Sequence, residues 1–135
     1  EGMIQKAMLA LALLAVVAFL PRVIGRIRRG AMLAVTDLKQ RLDNQDDILI
    51  LDVRTTEDFT GAQGHITNAM NLPLEELADR IDELDDRIKL PVAIVCRTDR
   101  RSAKAAQILS NHGYTDVRIV RGGMTDWSMQ NYPVE

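Results

Sequence analysis

Val92-Ala93-Ile94-Val95-Cys96-Arg97-Thr98-Asp99-Arg100-Arg101-Ser102-Ala103-Lys104-Ala105-Ala106 is the stretch that decides how this chain folds. An apolar β-type run ends in the chain's single cysteine, a polar loop with three arginines follows, and an alanine-rich helical segment closes it. A strand that turns into a helix through such a loop is the core of an α/β unit. At that turn, backbone N–H groups and the positive end of a helix dipole can both face the cysteine, and both favour thiolate over thiol.

Working outward, helical and strand patterns alternate. Thr36 is the expected N-cap of a short helix with Leu38 and Leu42 inward, ending near Asn44. Ile48–Val53 is an apolar run broken by one acid, the pattern of a strand buried on both faces. Thr56 is the expected cap of a short helix through Phe59, and the stretch closed by Asn71-Leu72-Pro73 reads as irregular. Leu74, Leu77, Ile81 and Leu84 predict one helix over 74–84. Its other face carries acids, seven against one arginine over 75–86, and reads as solvated surface. After the cysteine, a helix is expected from Ser102 to Asn111 with Gly113 as its C′ residue. A strand over 117–120 and a short helix over 124–129, packed through Met124 and Trp127, complete the set. This order predicts an α/β domain with a mostly parallel sheet flanked by helices over residues 33–135. Ligands of such sheets bind at the carboxyl ends of the strands, where Cys96 lies.

Residues 1–32 read differently. Glu1-Gly2 before Met3 reads as an expression remnant. Ala7–Leu20 is apolar throughout, and Arg22, Arg26, Arg28 and Arg29 follow with no acid among residues 21–30. Fourteen helical residues span about 21 Å, less than the roughly 30 Å hydrocarbon core. Snorkelling by Lys6 and Arg22 extends the stretch to residues 3–27. The leading expectation is an N-terminal apolar helix acting as a single-span membrane anchor, with the arginines placing the domain in the cytoplasm. A cleavable secretory signal, and a soluble helix packed on the domain or on a second copy, are the alternatives.

Composition narrows the function classes. A net charge of −2 gives no reason to expect nucleic acid. One cysteine excludes an internal disulfide and a C-x-x-C pair, and with only His65 and His112 as further soft ligands no metal or other cofactor is expected. Arg97, Arg100 and Arg101 suit a thiolate or a bound anion far better than a buried apolar thiol.

The region from about residue 35 to 135 resembles a single-domain rhodanese. The matching pieces are Leu51-Asp52-Val53-Arg54 with Glu57 and Phe59, and Gly64-His65-Ile66 leading to Ala69, Asn71 and Pro73. The Cys96 loop with Arg101 and Ser102, and Arg121-Gly122-Gly123 with Trp127, complete them. The resemblance implies a sulfurtransferase: Cys96 takes sulfur from a donor such as thiosulfate as a persulfide, then passes it to cyanide or a cellular thiol. A sulfur carrier or docking module is the alternative, and a protein sulfur acceptor is a further partner to expect. Cysteine phosphatases of related architecture carry five residues between cysteine and arginine. Here only four residues separate Cys96 from Arg101, and the next residue, Ser102, cannot replace a phosphate-binding arginine.

The expected donor-binding segment is Arg97, Thr98, Asp99, Arg100, Arg101 and Ser102. Arg97 and Arg100 would hold an anionic donor, while Arg101 would bind donor or brace the loop against an acid such as Asp52. Family loops frequently have a small residue where this chain has Asp99, which bears on donor preference. Asp99 is expected to turn outward and pair with Arg97 or Arg100. Asp52 and Arg54 are expected to form an internal ion pair or bond nearby loops, and His65 to fix a loop rather than act as a base.

Overall fold

The computed structural model describes residues 2–29, 31–97 and 99–135, and the side chains of these except for 18–29. Five strands form one sheet: β1 (Ala31–Leu33), β2 (Leu49–Asp52), β3 (Met70–Asn71), β4 (Val92–Val95) and β5 (Val117–Val120). Their order is β1-β5-β4-β2-β3, and each adjacent pair is parallel. Every residue of β2 and of β4 is buried, which is why both read as unbroken apolar runs.

Two layers of helix supply that burial. On one face, α4 (Leu74–Arg80), a 3-10 helix (Ile81–Arg87) and α5 (Asp99–Asn111) close a core around Leu51, Leu77, Leu84, Ile94 and Leu109. On the other, α2 (Val35–Asp43) and α6 (Gly123–Met129) enclose Leu38, Ile50, Val95, Met124 and Trp127. Trp127 and Met124 are buried in this second core, the packing role their positions suggested.

The connections create the site. From β2 the chain moves outward to β3, then returns across β2 to form β4 on its other side. Adjacent strands whose connections leave in opposite directions open a crevice at their carboxyl ends. Here those ends are Asp52 and Val95, which are paired in register, and the next amide along, Val53 N–H, donates to the Val95 carbonyl at 2.9 Å.

Several boundaries differ from the sequence reading. Ala31–Leu33 is a strand paired with β5, so the sheet starts inside the segment read as juxtamembrane. Met70–Asn71 is a strand as well. Both are edge pieces of two or three residues, too short to display a period. The 74–84 helix divides: α4 stops at Arg80, and the 3-10 helix continues to Arg87. Ile81 and Leu84, three residues apart, both stay buried because three residues make one 3-10 turn. α2 begins at Val35 with Ala34 as an N-cap that makes no side-chain bond, and Thr36 lies inside it. The cap of α3 (Thr56–Phe59) is Thr55, whose side chain accepts from Asp58 N–H, rather than Thr56.

The membrane reading needs correction. α1 (Gly2–Arg29) is a continuous helix whose described side chains, residues 2–17, are exposed. Among the described residues no helix is long and apolar enough to cross a membrane. The single-span anchor over residues 3–27, and the placement derived from it, are therefore not supported. The described side chains of α1, residues 2–17, make about 24 Å of helix, short of a roughly 30 Å hydrocarbon core, and residues 18–27 of the expected anchor lie outside them.

Candidate active site

Cys96 follows β4 directly and is 1% exposed. Three residues later Asp99 opens α5, so the loop between them is as short as a strand-to-helix turn permits. The first N–H groups of a helix have no partner within it, and its N-terminus carries partial positive charge. α5 starts three residues before the Ser102 anticipated from its alanines, because Asp99, Arg100 and Arg101 form its first turn instead of extending the loop.

Two backbone segments meet at Cys96. The turn after β5 delivers Gly123 so closely that a Cβ on it would overlap the Cys96 carbonyl oxygen. That oxygen accepts the Met124 N–H at 2.9 Å, and the Arg97 carbonyl accepts the Thr125 hydroxyl at 3.3 Å. Gly123 has φ +50° and Gly122 φ +70°, conformations that a side chain disfavours. The Arg121-Gly122-Gly123 run thus fastens the start of α6 to the cysteine loop.

Charge around the loop is distributed differently from expectation. Arg101 bonds Glu75 of α4 at 2.5 Å, and Asp52 is not its partner. The Glu75 carboxylate, and to a smaller degree the Cys96 sulfur, push the Arg101 guanidinium above its ordinary value. The same hydrogen bond holds Glu75 below its own. Asp99 does not pair with Arg97 or Arg100: its Oδ1 accepts the Gly122 N–H at 2.9 Å. Arg97 and Arg100 are exposed. Arg97 also lines a cavity of about 180 Å³ with Arg54, Glu57, Asp58, Gly61, Ala62 and Gln63. Ser102 is buried, and its Oγ has no hydrogen-bond partner among the described residues. Thr98 lies outside the described residues.

Behind the site, Asp52 and Arg54 form a buried ion pair, with Nη2 2.8 Å from Oδ2 and Nε 3.0 Å from Oδ1. Arg54 Nη2 also donates to the Gly64 carbonyl at 2.9 Å, and Nη1 reaches the Asp58 carbonyl at 3.4 Å. One guanidinium therefore ties the end of β2 to the loop that follows it, combining the two roles open to it from sequence. Asn71 adds to the same knot, donating to the carbonyls of Asp52 and Arg54 at 3.0 Å each. His65 stacks on Phe59 with ring centres 3.6 Å apart, and its Nδ1 donates to the Phe59 carbonyl at 2.8 Å. Its backbone exchanges hydrogen bonds with Glu135. These contacts hold a loop, and the other ring nitrogen, Nε2, lies 3.5 Å from the Glu135 carboxylate.

Glu75 and Thr125 escaped the sequence reading. Glu75 looked like one acid among seven on a solvated face, and nothing in the spacing links it to Arg101, 26 residues away. The adjacent glycines 122 and 123 were the one visible signal of a close backbone approach. Away from this site, Asp82, Asp85 and His112 bring ligand atoms within 4.8 Å of one another at the far end of α5. That group is exposed or half-buried.

The arrangement of a buried thiol at the crevice, a helix N-terminus behind it and arginines around it can be compared with known proteins. The model of the rhodanese-like domain matches residues 34–130. A sulfurtransferase of Allochromatium vinosum is 37% identical over 98 residues, covering 72% of this chain and 87% of that protein. Thiosulfate sulfurtransferase PspE of Escherichia coli is 37% identical over 79 residues, 58% of this chain and 73% of its own length. A putative sulfur carrier protein, YrkF of Bacillus subtilis, is 36% identical over 90 residues, and the match spans 67% of this chain but 46% of that protein. Among solved structures, the rhodanese-like domain of Anabaena sp. protein Alr3790 shares a TM-score of 0.70 and 27% identity, covering 78% of this chain and 79% of that one. The β1-β5-β4-β2-β3 sheet, the cysteine at its switch point and a family match over residues 34–130 agree: this chain belongs to the rhodanese-like sulfurtransferase family.

Proposed function

We propose that the protein is a thiosulfate-type sulfurtransferase that carries sulfur as a persulfide on Cys96. The observation that carries this reading is the position of Cys96: buried at the carboxyl end of β4, three residues before α5, at the sheet's switch point. In the first step the Cys96 thiolate attacks the outer sulfur of an anionic donor such as thiosulfate. A Cys96–sulfur bond forms, the donor's S–S bond breaks, and its electron pair leaves with sulfite. In the second step cyanide or an acceptor thiolate attacks the terminal sulfur and returns Cys96 as thiolate.

Each neighbour then has a task. The N–H groups at the start of α5 and its dipole stabilise negative charge on the sulfur in both states. Exposed Arg97 and Arg100 attract a small dianion, while Arg101 is braced by Glu75 with its charge felt at Cys96. The ion pair of Asp52 and Arg54, with His65, supports the scaffold behind them.

The similarity to a putative sulfur carrier favours a second reading, in which the acceptor is a protein rather than a small thiol. A panel of sulfane donors and acceptors, run on the protein and on Cys96→Ala, separates the two. Turnover of thiosulfate with cyanide that disappears in Cys96→Ala supports the enzyme. Loading without turnover, relieved only by a protein acceptor, supports the carrier. No loading from any sulfane donor would sink both.

A further inference from the structure

We propose that Asp99 is a positioning residue that latches the cysteine loop to the turn after β5, a role resting on the sulfurtransferase reading above. Among the described residues, three hydrogen bonds cross between the two segments: Met124 N–H to the Cys96 carbonyl, the Thr125 hydroxyl to the Arg97 carbonyl, and Gly122 N–H to Asp99 Oδ1. The first two end on main-chain carbonyls that every residue possesses. The third depends on a side chain, so it alone is decided by the identity of residue 99.

The geometry explains how an acid is accommodated in a loop that stabilises an anion. Asp99 is the first residue of α5, where the helix dipole favours a carboxylate. Its Oδ1 takes up the amide of Gly122, the residue that precedes α6 in a left-handed conformation. The neighbouring Gly123 touches the Cys96 carbonyl, so a carboxylate that fixes Gly122 also fixes the contact one residue away. The acid is directed into the latch and away from the exposed Arg97 and Arg100, which stay available to an anionic donor. A small residue at position 99 would supply no such acceptor.

The test compares Asp99→Ala, which removes the acceptor, with Asp99→Asn, which keeps Oδ1 and removes the charge. Two readouts are taken on the full chain: hydrogen exchange of the Gly122 and Met124 amides, and the rate of sulfur loading on Cys96 from thiosulfate. The latch predicts that Asp99→Ala speeds Gly122 exchange about tenfold, the worth of one ordinary hydrogen bond, with a smaller rise at Met124. It also predicts a severalfold slower loading, and recovery of most of both effects by Asp99→Asn. Unchanged Gly122 exchange in Asp99→Ala would overturn the proposal. So would an Asp99→Asn variant that restores exchange but loads as slowly as Asp99→Ala, since charge alone would then be at work. Amide exchange reads the latch even if thiosulfate loads nothing onto the unsubstituted protein, an outcome that would instead refute the sulfurtransferase reading.

Discussion

Replacing Arg54 with methionine tests the scaffold behind the cysteine most severely. The side chain keeps an unbranched apolar stem and loses the guanidinium, leaving the fully buried Asp52 carboxylate without its partner. Asp52 Oδ1 would retain only the Arg54 backbone N–H at 3.0 Å, the Gly64 carbonyl would lose its guanidinium donor, and the Asp58 carbonyl would keep only the Gly61 N–H at 3.2 Å. Removing one partner of a buried ion pair costs about 3–5 kcal/mol, because the remaining charge is uncompensated. Against a total stability of roughly 5–15 kcal/mol, that is a large share. Urea unfolding followed by the fluorescence of Trp127, the sole tryptophan, measures it directly. With a slope of about 2 kcal/mol per molar, the midpoint should fall by about 2 M. The paired substitution Asp52→Leu with Arg54→Met removes both charges and should recover at least half of the loss. A single variant that loses less than about 1 kcal/mol, or a double variant no better than the single, would refute the reasoning.

Other expectations follow from the same contacts. Gly123→Ala places a Cβ against the Cys96 carbonyl at a positive φ, and should cost about 2 kcal/mol or more while slowing sulfur transfer at least tenfold. A wild-type melting temperature in that variant would contradict the close approach. Glu75 is held below its ordinary 4.5 by the Arg101 hydrogen bond first, so its interaction is present above that value and is lost as pH falls through the depressed one. The Arg101 side-chain N–H signals in NMR should therefore hold their shifts from pH 7 to about 4.5 and move only below it. Glu75→Gln should abolish that transition and raise the KM for thiosulfate severalfold with little change in melting temperature, since the pair is exposed.

The long, buried elements were legible because burial writes itself into composition. β2 and β4 lie between two helical layers, so both faces must be apolar, and the runs over 48–53 and 92–95 announce them. The cysteine's place followed from the same reading, since a strand that ends in Cys96 and feeds a helix admits few topologies. The edge strands β1 and β3 were invisible: a two- or three-residue ladder is held by its neighbour's backbone, and no side-chain period records that. The Asp52–Arg54 pair was foreseen because two residues on one strand end are local. Glu75 with Arg101 and Asp99 with Gly122 were not, as each joins positions that only tertiary folding brings together. Asp99 is instructive, because charge alone suggested an arginine partner, whereas a helix start and a left-handed glycine amide gave it a better-placed donor. The apolar run before Arg22 was extended to a membrane span by letting Lys6 and Arg22 snorkel, and among the described residues no helix is long and apolar enough to support that extension.

The account stands on Cys96 as the atom that carries sulfur, and intact mass spectrometry addresses it directly. After incubation with thiosulfate and removal of excess donor, the chain should gain about 32 Da, one sulfur atom. Cyanide should discharge that increment, and it should be absent from Cys96→Ala. A protein that gains no sulfur from thiosulfate or any other sulfane donor, or a Cys96→Ala variant that gains it equally, would contradict the account.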